Sequence, residues 1–335
     1  MVWVVWAEGQ SAIKDDGVVV KRDVASHATP VGTARFAARH DAEYKVTHTG
    51  LWVSSVGVGT YIGEANDATD RMVTSAIVAS ARAGVNHVDT ASNYRKGRGE
   101  RAVGAALREL FAEGVSRDEL VIATKAGFVV GDVAREARRY GATSADFDAS
   151  GRHCVAPACI KASLDVSLER LGVSTVDILY LHNVCEKRTD LEAPQIASLL
   201  RTAFGHLEIE RRNERIRYYG LATFSLTFRA PPGTRGGFRL ATDVWPLLPV
   251  DHGFRFVQLP VTLDMPEAFA EKWEFRGGEP ATLNATAAAL GVDIVSSKSL
   301  GGRRRRRRGG WMMEFTRRTI RARARSTSRG RLPAS

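Results

Sequence analysis

HVDTASNY, residues 87–94, closes a short apolar run on Asp89 and sets Tyr94 five residues further on. Two later runs end in the same way. VIATKAGF at 121–128 delivers Lys125, and VDILYLHN at 176–183 delivers His182. Between the first two runs Val103, Leu107, Leu110 and Phe111 recur at helical spacing, so one face of that segment is apolar. Strands that alternate with helices in this way lie parallel in an α/β architecture. Reactive side chains at the C-terminal ends of different parallel strands are the arrangement of a (β/α)8 TIM barrel.

The pattern extends in both directions. Upstream, VSSVGVGTYIG at 53–63 reads as a buried strand ending at a glycine-rich turn, followed by a helix over 70–83 that stops at Gly84. Downstream, Pro157 opens a helix carrying Ile160, Leu164, Leu168 and Leu171 on one face, proline being favoured at the first helical position. Ile196, Leu199, Leu200, Ala203, Phe204 and Leu207 stripe another helix. IRYYGLATF at 216–224, FRFVQLPV at 254–261 and VDIVSS at 292–297 read as strands, with helices expected near 240–248 and over 280–290. That makes seven strands, one short of a complete barrel. The expected organisation is an irregular N-terminal extension at 1–48, a barrel at 49–300 with a long loop at 129–156, and a basic low-complexity tail at 301–335. A loop of that length in a compact domain is usually functional or disordered.

The chain has 335 residues and 44% hydrophobic content, enough for one barrel core. Its net charge of +11 is misleading, because residues 301–335 hold 13 of the 48 Lys+Arg and one acid, Glu314. The other 300 residues carry 35 basic and 36 acidic groups, so the barrel has no electrostatic reason to bind nucleic acid. MVWVVW at 1–6 lacks a basic flank and is too short for a signal peptide, and no apolar run is long enough to span a membrane. Cys154, Cys159 and Cys185 are too few, and odd in number, for a disulfide framework, which points to a reducing cytoplasm. His153, Cys154 and Cys159 fit no zinc spacing, so no metal site is expected. GEANDATD at 63–70 reads as a polar loop and helix cap.

Tyr94 beside a lysine, a carboxylate and a histidine is equipment for protonating a carbonyl oxygen while hydride attacks its carbon. A nearby ammonium lowers a phenol's pKa, so Lys125 is expected to bring Tyr94 down into use as a general acid, with Asp89 holding Lys125. His182 can donate a hydrogen bond to the carbonyl oxygen. None of the four supplies hydride, so a nicotinamide cofactor is required. Each also has a plainer reading: Asp89 as a turn cap, Tyr94 as packing, Lys125 as a side chain leaving the core, His182 as a core histidine. Their placement after three successive apolar runs favours a shared site.

At these residues the chain resembles the aldo-keto reductases, a bacterial branch most of all. The resemblance rests on VGVGTY at 56–61, the Asp89 to Tyr94 spacing, Glu100, Thr124 with Lys125, and LHN at 181–183. Supporting stretches are ATPVGTARFAARH at 28–40, HCVAPA at 153–158, YGLATF at 219–224 and FRFVQLPVTLDMPEAF at 254–269. It spans roughly residues 28–300. It implies NADP(H) bound without a Rossmann motif, a small aldehyde, ketone or alcohol substrate, and Tyr94 as proton donor, with Asp89, Lys125 and His182 completing the set. It also implies Gly59, Thr60, Thr223, Gln258 and Leu300 as cofactor-binding residues, Gln258 at the nicotinamide carboxamide. Where many relatives have Ser-Asn and a stacking tyrosine, this chain has Ala222-Thr223 and Ser297.

Beyond Leu300 the resemblance stops, and GGRRRRRRGG at 301–310 begins a stretch with no apolar period. The break falls inside the barrel pattern, which reads as a shifted frame. Without an eighth strand, the first and seventh are expected to carry unpaired edges. Two other readings are a non-catalytic nicotinamide-binding scaffold and a nucleic-acid-binding protein acting through the arginine-rich tail.

Overall fold

The computed structural model describes residues 26–225 and 227–299, together with the backbone of residues 2–6. The calls on Leu300 and on the 301–335 tail lie outside the described residues.

Seven parallel strands form the barrel wall: β4 (Val56–Gly59), β5 (His87–Asp89), β6 (Val121–Ala126), β7 (Val176–His182), β8 (Ile216–Ala222), β9 (Phe254–Pro260) and β12 (Asp293–Ser297). These are the seven read from the sequence. As expected, the described residues hold no eighth parallel strand, but the edges of the first and last strands are not unpaired. β1 (Val2–Trp6) lies antiparallel between β4 and β12, with Val2 opposite Val58 on one side and Val5 opposite Val295 on the other. The apolar N-terminal run is therefore a barrel strand, and neither neighbour is left with a free edge.

Within the segment expected to be irregular, the described residues 26–48 also take regular structure. α1 (Pro30–Ala38) is a helix started by Thr29, whose hydroxyl accepts from the Gly32 N–H, with proline at its first turn. β2 (Tyr44–Val46) and β3 (Trp52–Ser54) form a hairpin. Its contacts run to the starts of the barrel strands. Asn86, just before β5, bonds Ser54 and Trp52; Tyr44 donates to the Gly84 carbonyl; and His48 pairs with Asp293 at the start of β12. Leu51 and Val53 join the interior cluster of Val121, Ala123, Ile178, Tyr180, Phe256 and Val295. The hairpin thus plugs the N-terminal end and leaves the C-terminal end for chemistry.

Helices cover the outside. α2 (Asp67–Arg82) is capped by Asn66, and α3 (Arg98–Ala112) buries Val103, Leu107 and Leu110. α4 (Asp132–Arg139) lies within the stretch read as a long loop, burying Val133 and Ala137. α5 (Pro157–Leu171) opens on proline and ends at Gly172, whose φ of 69° suits a left-handed stop. α6 (Val184–Lys187) follows β7 directly, and α7 (Ala193–Arg212) carries the predicted apolar stripe inward. The helix expected near 240–248 is broken into a π turn at Leu240–Val244 and a 3₁₀ turn at Trp245–Leu247, with Pro246 preventing a regular helix. After α8 (Glu267–Ala270), the region read as one helix over 280–290 divides. A hairpin of β10 (Glu274–Arg276) and β11 (Glu279–Ala281) turns on Gly277 and Gly278, at φ 58° and 89°, and α9 (Leu283–Ala289) follows. No helix of the described residues is long and apolar enough to cross a membrane.

Cys154 and Cys159 are joined in a disulfide, against the expectation from cysteine number, and Cys185 is free and buried. Composition excludes a framework of several bridges but not a single short one across the start of α5.

Candidate active site

Strand register assembles the predicted residues. Gly59 lies opposite Asp89, Asp89 opposite Ala123, Lys125 opposite Tyr180, and His182 opposite Ala222, which faces Gln258 on its other side. Neighbouring strands therefore present Asp89, Lys125, His182 and Gln258 around one end of the barrel.

Asp89 and Lys125 form a buried pair, at 0% and 1% exposure, with Lys125 Nζ donating to Asp89 Oδ1 at 2.5 Å and to the Thr90 carbonyl at 2.8 Å. Gln258 Nε2 donates to the other carboxylate oxygen at 2.8 Å. The amide expected to serve a cofactor is here bound to Asp89. Tyr94 follows β5 on a tight turn. Its ring centroid lies 5.0 Å from Lys125 Nζ and 6.0 Å from the His182 ring, and Tyr61 stands edge-on to it at 5.1 Å.

The backbone around Tyr94 is constrained. Arg95 and Lys96 adopt φ of 49° and 60°, a region costly for residues other than glycine. The Arg95 guanidinium is buried, bonded to Asp70 and to the Thr60 carbonyl, which holds the turn in place. Thr60 also donates to Thr90 Oγ1 at 2.8 Å. Below Lys125, Glu100 accepts from Thr124 at 2.7 Å, Ser167 at 2.5 Å and Arg170 at 3.1 Å, tying α3, β6 and α5 together.

The electrostatics correct one expectation. Tyr94 is not brought down by Lys125. Its phenol is pushed well above the ordinary value, first by burial, then by the Asp89 charge and by Tyr61. Asp89 holds the ammonium, and burial together with the Asp89 charge sets the direction of the shift at the phenol. Burial also lowers Lys125 despite Asp89. Burial pushes His182 well below its ordinary value, helped by the positive charges of Lys125 and Lys187 and by His153. The mouth therefore sets a protonated phenol beside a neutral imidazole.

Thr223 lies just after β8. Its hydroxyl and the N–H groups of Phe224 and Ser225 converge on Glu186 Oε1 at 2.6, 2.8 and 2.9 Å. Glu186 was not picked out from the sequence, where it lies in a short charged run after LHN. Phe128 was also missed; it lies edge-on to His182 at 5.0 Å and to His153 at 5.3 Å.

Residues 55–228, about half of the chain, match the family model described as Aldo/keto reductase family. Among curated proteins, the chain is 33% identical over 144 residues to L-glyceraldehyde 3-phosphate reductase of Escherichia coli, covering 42% of this chain and 34% of that protein. It is 32% identical over 192 residues to L-galactose dehydrogenase of Arabidopsis thaliana, covering 56% and 52%. The chain thus spans between a third and about half of the length of these relatives. Among solved structures, an aldo-keto reductase of Bombyx mori in complex with NADP aligns with a TM-score of 0.45 and 21% identity over 76% of this chain and 65% of that one. With the family model matched from β4 through β8, across three of the strand ends that meet at this site, the chain belongs to the aldo/keto reductase family.

Proposed function

We propose that this protein is an NADP(H)-dependent oxidoreductase that reduces an aldehyde or ketone to an alcohol, or runs the reverse reaction. The observation that carries this reading is the pairing of Tyr94 and His182 in front of the buried Lys125–Asp89 pair. A carbonyl oxygen seated between Tyr94 and His182 accepts a hydrogen bond from each. As negative charge develops on that oxygen, the Tyr94 hydroxyl transfers its proton and the product hydroxyl forms. The ammonium 5.0 Å from the ring then faces a phenolate and stabilises it. Asp89 keeps Lys125 in place for that moment, and the neutral His182 stays a hydrogen-bond donor rather than a competing acid.

The donor set suits a nicotinamide cofactor. Thr223 and Gln258 at adjacent strand ends would hold the nicotinamide, with Gly59 and Thr60 lining the site at the end of β4. Thr223 would exchange its bond to Glu186, and Gln258 its bond to Asp89, for the cofactor. When bound, the cofactor supplies the hydride.

A phenol held well above its ordinary pKa stays protonated across neutral pH, the form that a proton donor in carbonyl reduction requires. Tyr94→Phe is expected to lower NADPH oxidation with a panel of simple aldehydes by about 10²–10⁴-fold, with NADPH binding by fluorescence unchanged. A variant that keeps the wild-type rate would remove Tyr94 as the acid.

A further inference from the structure

We infer that His153 is a positioning residue for His182, acting through the His182 main chain; this rests on the carbonyl-reduction reading above. The last β6–β7 pair is Ala126 with Leu181. His182 is one residue beyond it, and Asn183 next to it turns left-handed at φ 55°. The His182 carbonyl therefore has no β6 partner in the ladder. His153 takes that place, with Nε2 2.7 Å from the carbonyl oxygen. A carbonyl can only accept, so Nε2 carries the proton. That leaves Nδ1 bare, buried and without a partner among the described residues.

The surrounding chain is built to deliver this ring. Phe128 and His153 form an antiparallel bridge, Val129 N–H donates to the Arg152 carbonyl and Cys154 N–H to the Gly127 carbonyl, both at 2.8 Å. Asp148 Oδ1 accepts from the Arg152 and His153 N–H groups at 2.9 Å. The disulfide to Cys159 ties the next residue to α5. Gly127 supplies the slot: a Cβ there would lie 2.8 Å from His153 Nε2 and 2.9 Å from the His182 carbonyl oxygen, and its φ of +146° is unfavourable for other residues. The ring also stands edge-on to Phe128, which stands edge-on to His182. His153 thus fixes His182 from the main-chain side, and Phe128 from the ring side.

The amide of glutamine reaches about as far as histidine Nε2, whereas that of asparagine stops short. His153→Gln is therefore expected to keep kcat within about twofold, and His153→Asn to lower it about tenfold with the KM for NADPH unchanged. In the His182→Ala background, His153→Asn is expected to cost nothing further, because its effect passes through His182. Wild-type kcat in His153→Asn overturns the proposal. So does an equal loss in the two His153 variants, or a full additional loss in the double variant. Circular dichroism and the melting temperature establish that each variant is folded before rates are compared. Tyr94→Phe separates the two claims. If it retains activity, the carbonyl-reduction reading fails; if it is inactive while His153→Asn is unimpaired, only the positioning role fails.

Discussion

Asp89→Asn tests the centre of the site, because it keeps shape and removes charge. Lys125 Nζ is 1% exposed and 2.5 Å from Asp89 Oδ1. At an effective dielectric near 20, two charges at that separation attract by roughly 6–7 kcal/mol. The asparagine carbonyl recovers part of this, and the Thr90 carbonyl still accepts from the ammonium. Breaking a buried pair while leaving one charge behind costs about 3–5 kcal/mol, and that is the loss of unfolding free energy expected at pH 7. Burial already lowers the Lys125 pKa in the wild type; without the carboxylate it falls further. Between the variant's folded value and the wild-type folded value, the folded variant has released a proton that its unfolded chain keeps. Stability of the variant therefore rises with pH in that window, and its deficit narrows by up to about 1.4 kcal/mol per pH unit. Urea unfolding at pH 7, 9 and 10, variant against wild type, measures this. A deficit below about 1 kcal/mol, or one that stays constant to pH 10, would refute the claim that a buried ammonium depends on Asp89.

Two further outcomes follow from the segment beside His182. Burial lowers His153 to about 4 from an ordinary 6.5, so its neutral form stabilises the fold above 6.5, and this is lost as pH falls toward 4. The loss amounts to about 3 kcal/mol; His153→Gln is expected to flatten it in urea unfolding at pH 7 and 4.5, and parallel wild-type and variant curves would count against it. The Cys154–Cys159 bridge closes a loop with a sequence separation of 5, for which chain entropy gives about 2 kcal/mol. Reduction, or Cys154→Ser with Cys159→Ser, should lower the melting temperature, and an identical melting curve with and without reductant would show that the bridge adds no stability.

What the sequence conveyed about this site, and what it did not, divides along a physical line. Asp89, Lys125 and His182 were legible because each ends a fully buried strand, and the chain's own periodicity marks where such strands stop. Strand register then brings them together without further information. β1 was not legible. Five apolar residues with no amphipathic partner after them give no pairing signal, and only the closed barrel shows that they fill the eighth position, antiparallel. His153 stood out in the sequence only as part of a cluster that fits no zinc spacing, because nothing local says that a residue 29 positions before His182 meets its carbonyl. Glu186 was hidden for the same reason, its partners lying 37 to 39 positions away.

The inverted expectation for Tyr94 is the most instructive case. A lysine near a tyrosine in sequence pattern implies a lowered phenol pKa only if the ammonium's charge reaches the hydroxyl uncompensated. Here the ammonium is bonded to Asp89, and the phenol is buried. Residue type determined which groups meet; burial and the order of pairing determined the sign. In the proposed reaction the ammonium's influence would fall after proton transfer rather than before it. On the proposed reading, Tyr94 is a weak acid in the resting site, and Lys125 becomes effective only when the phenolate it faces has formed. This ordering stabilises the state in which the substrate oxygen has already taken the proton, and a Lys125→Met variant should therefore lose kcat far more than substrate affinity.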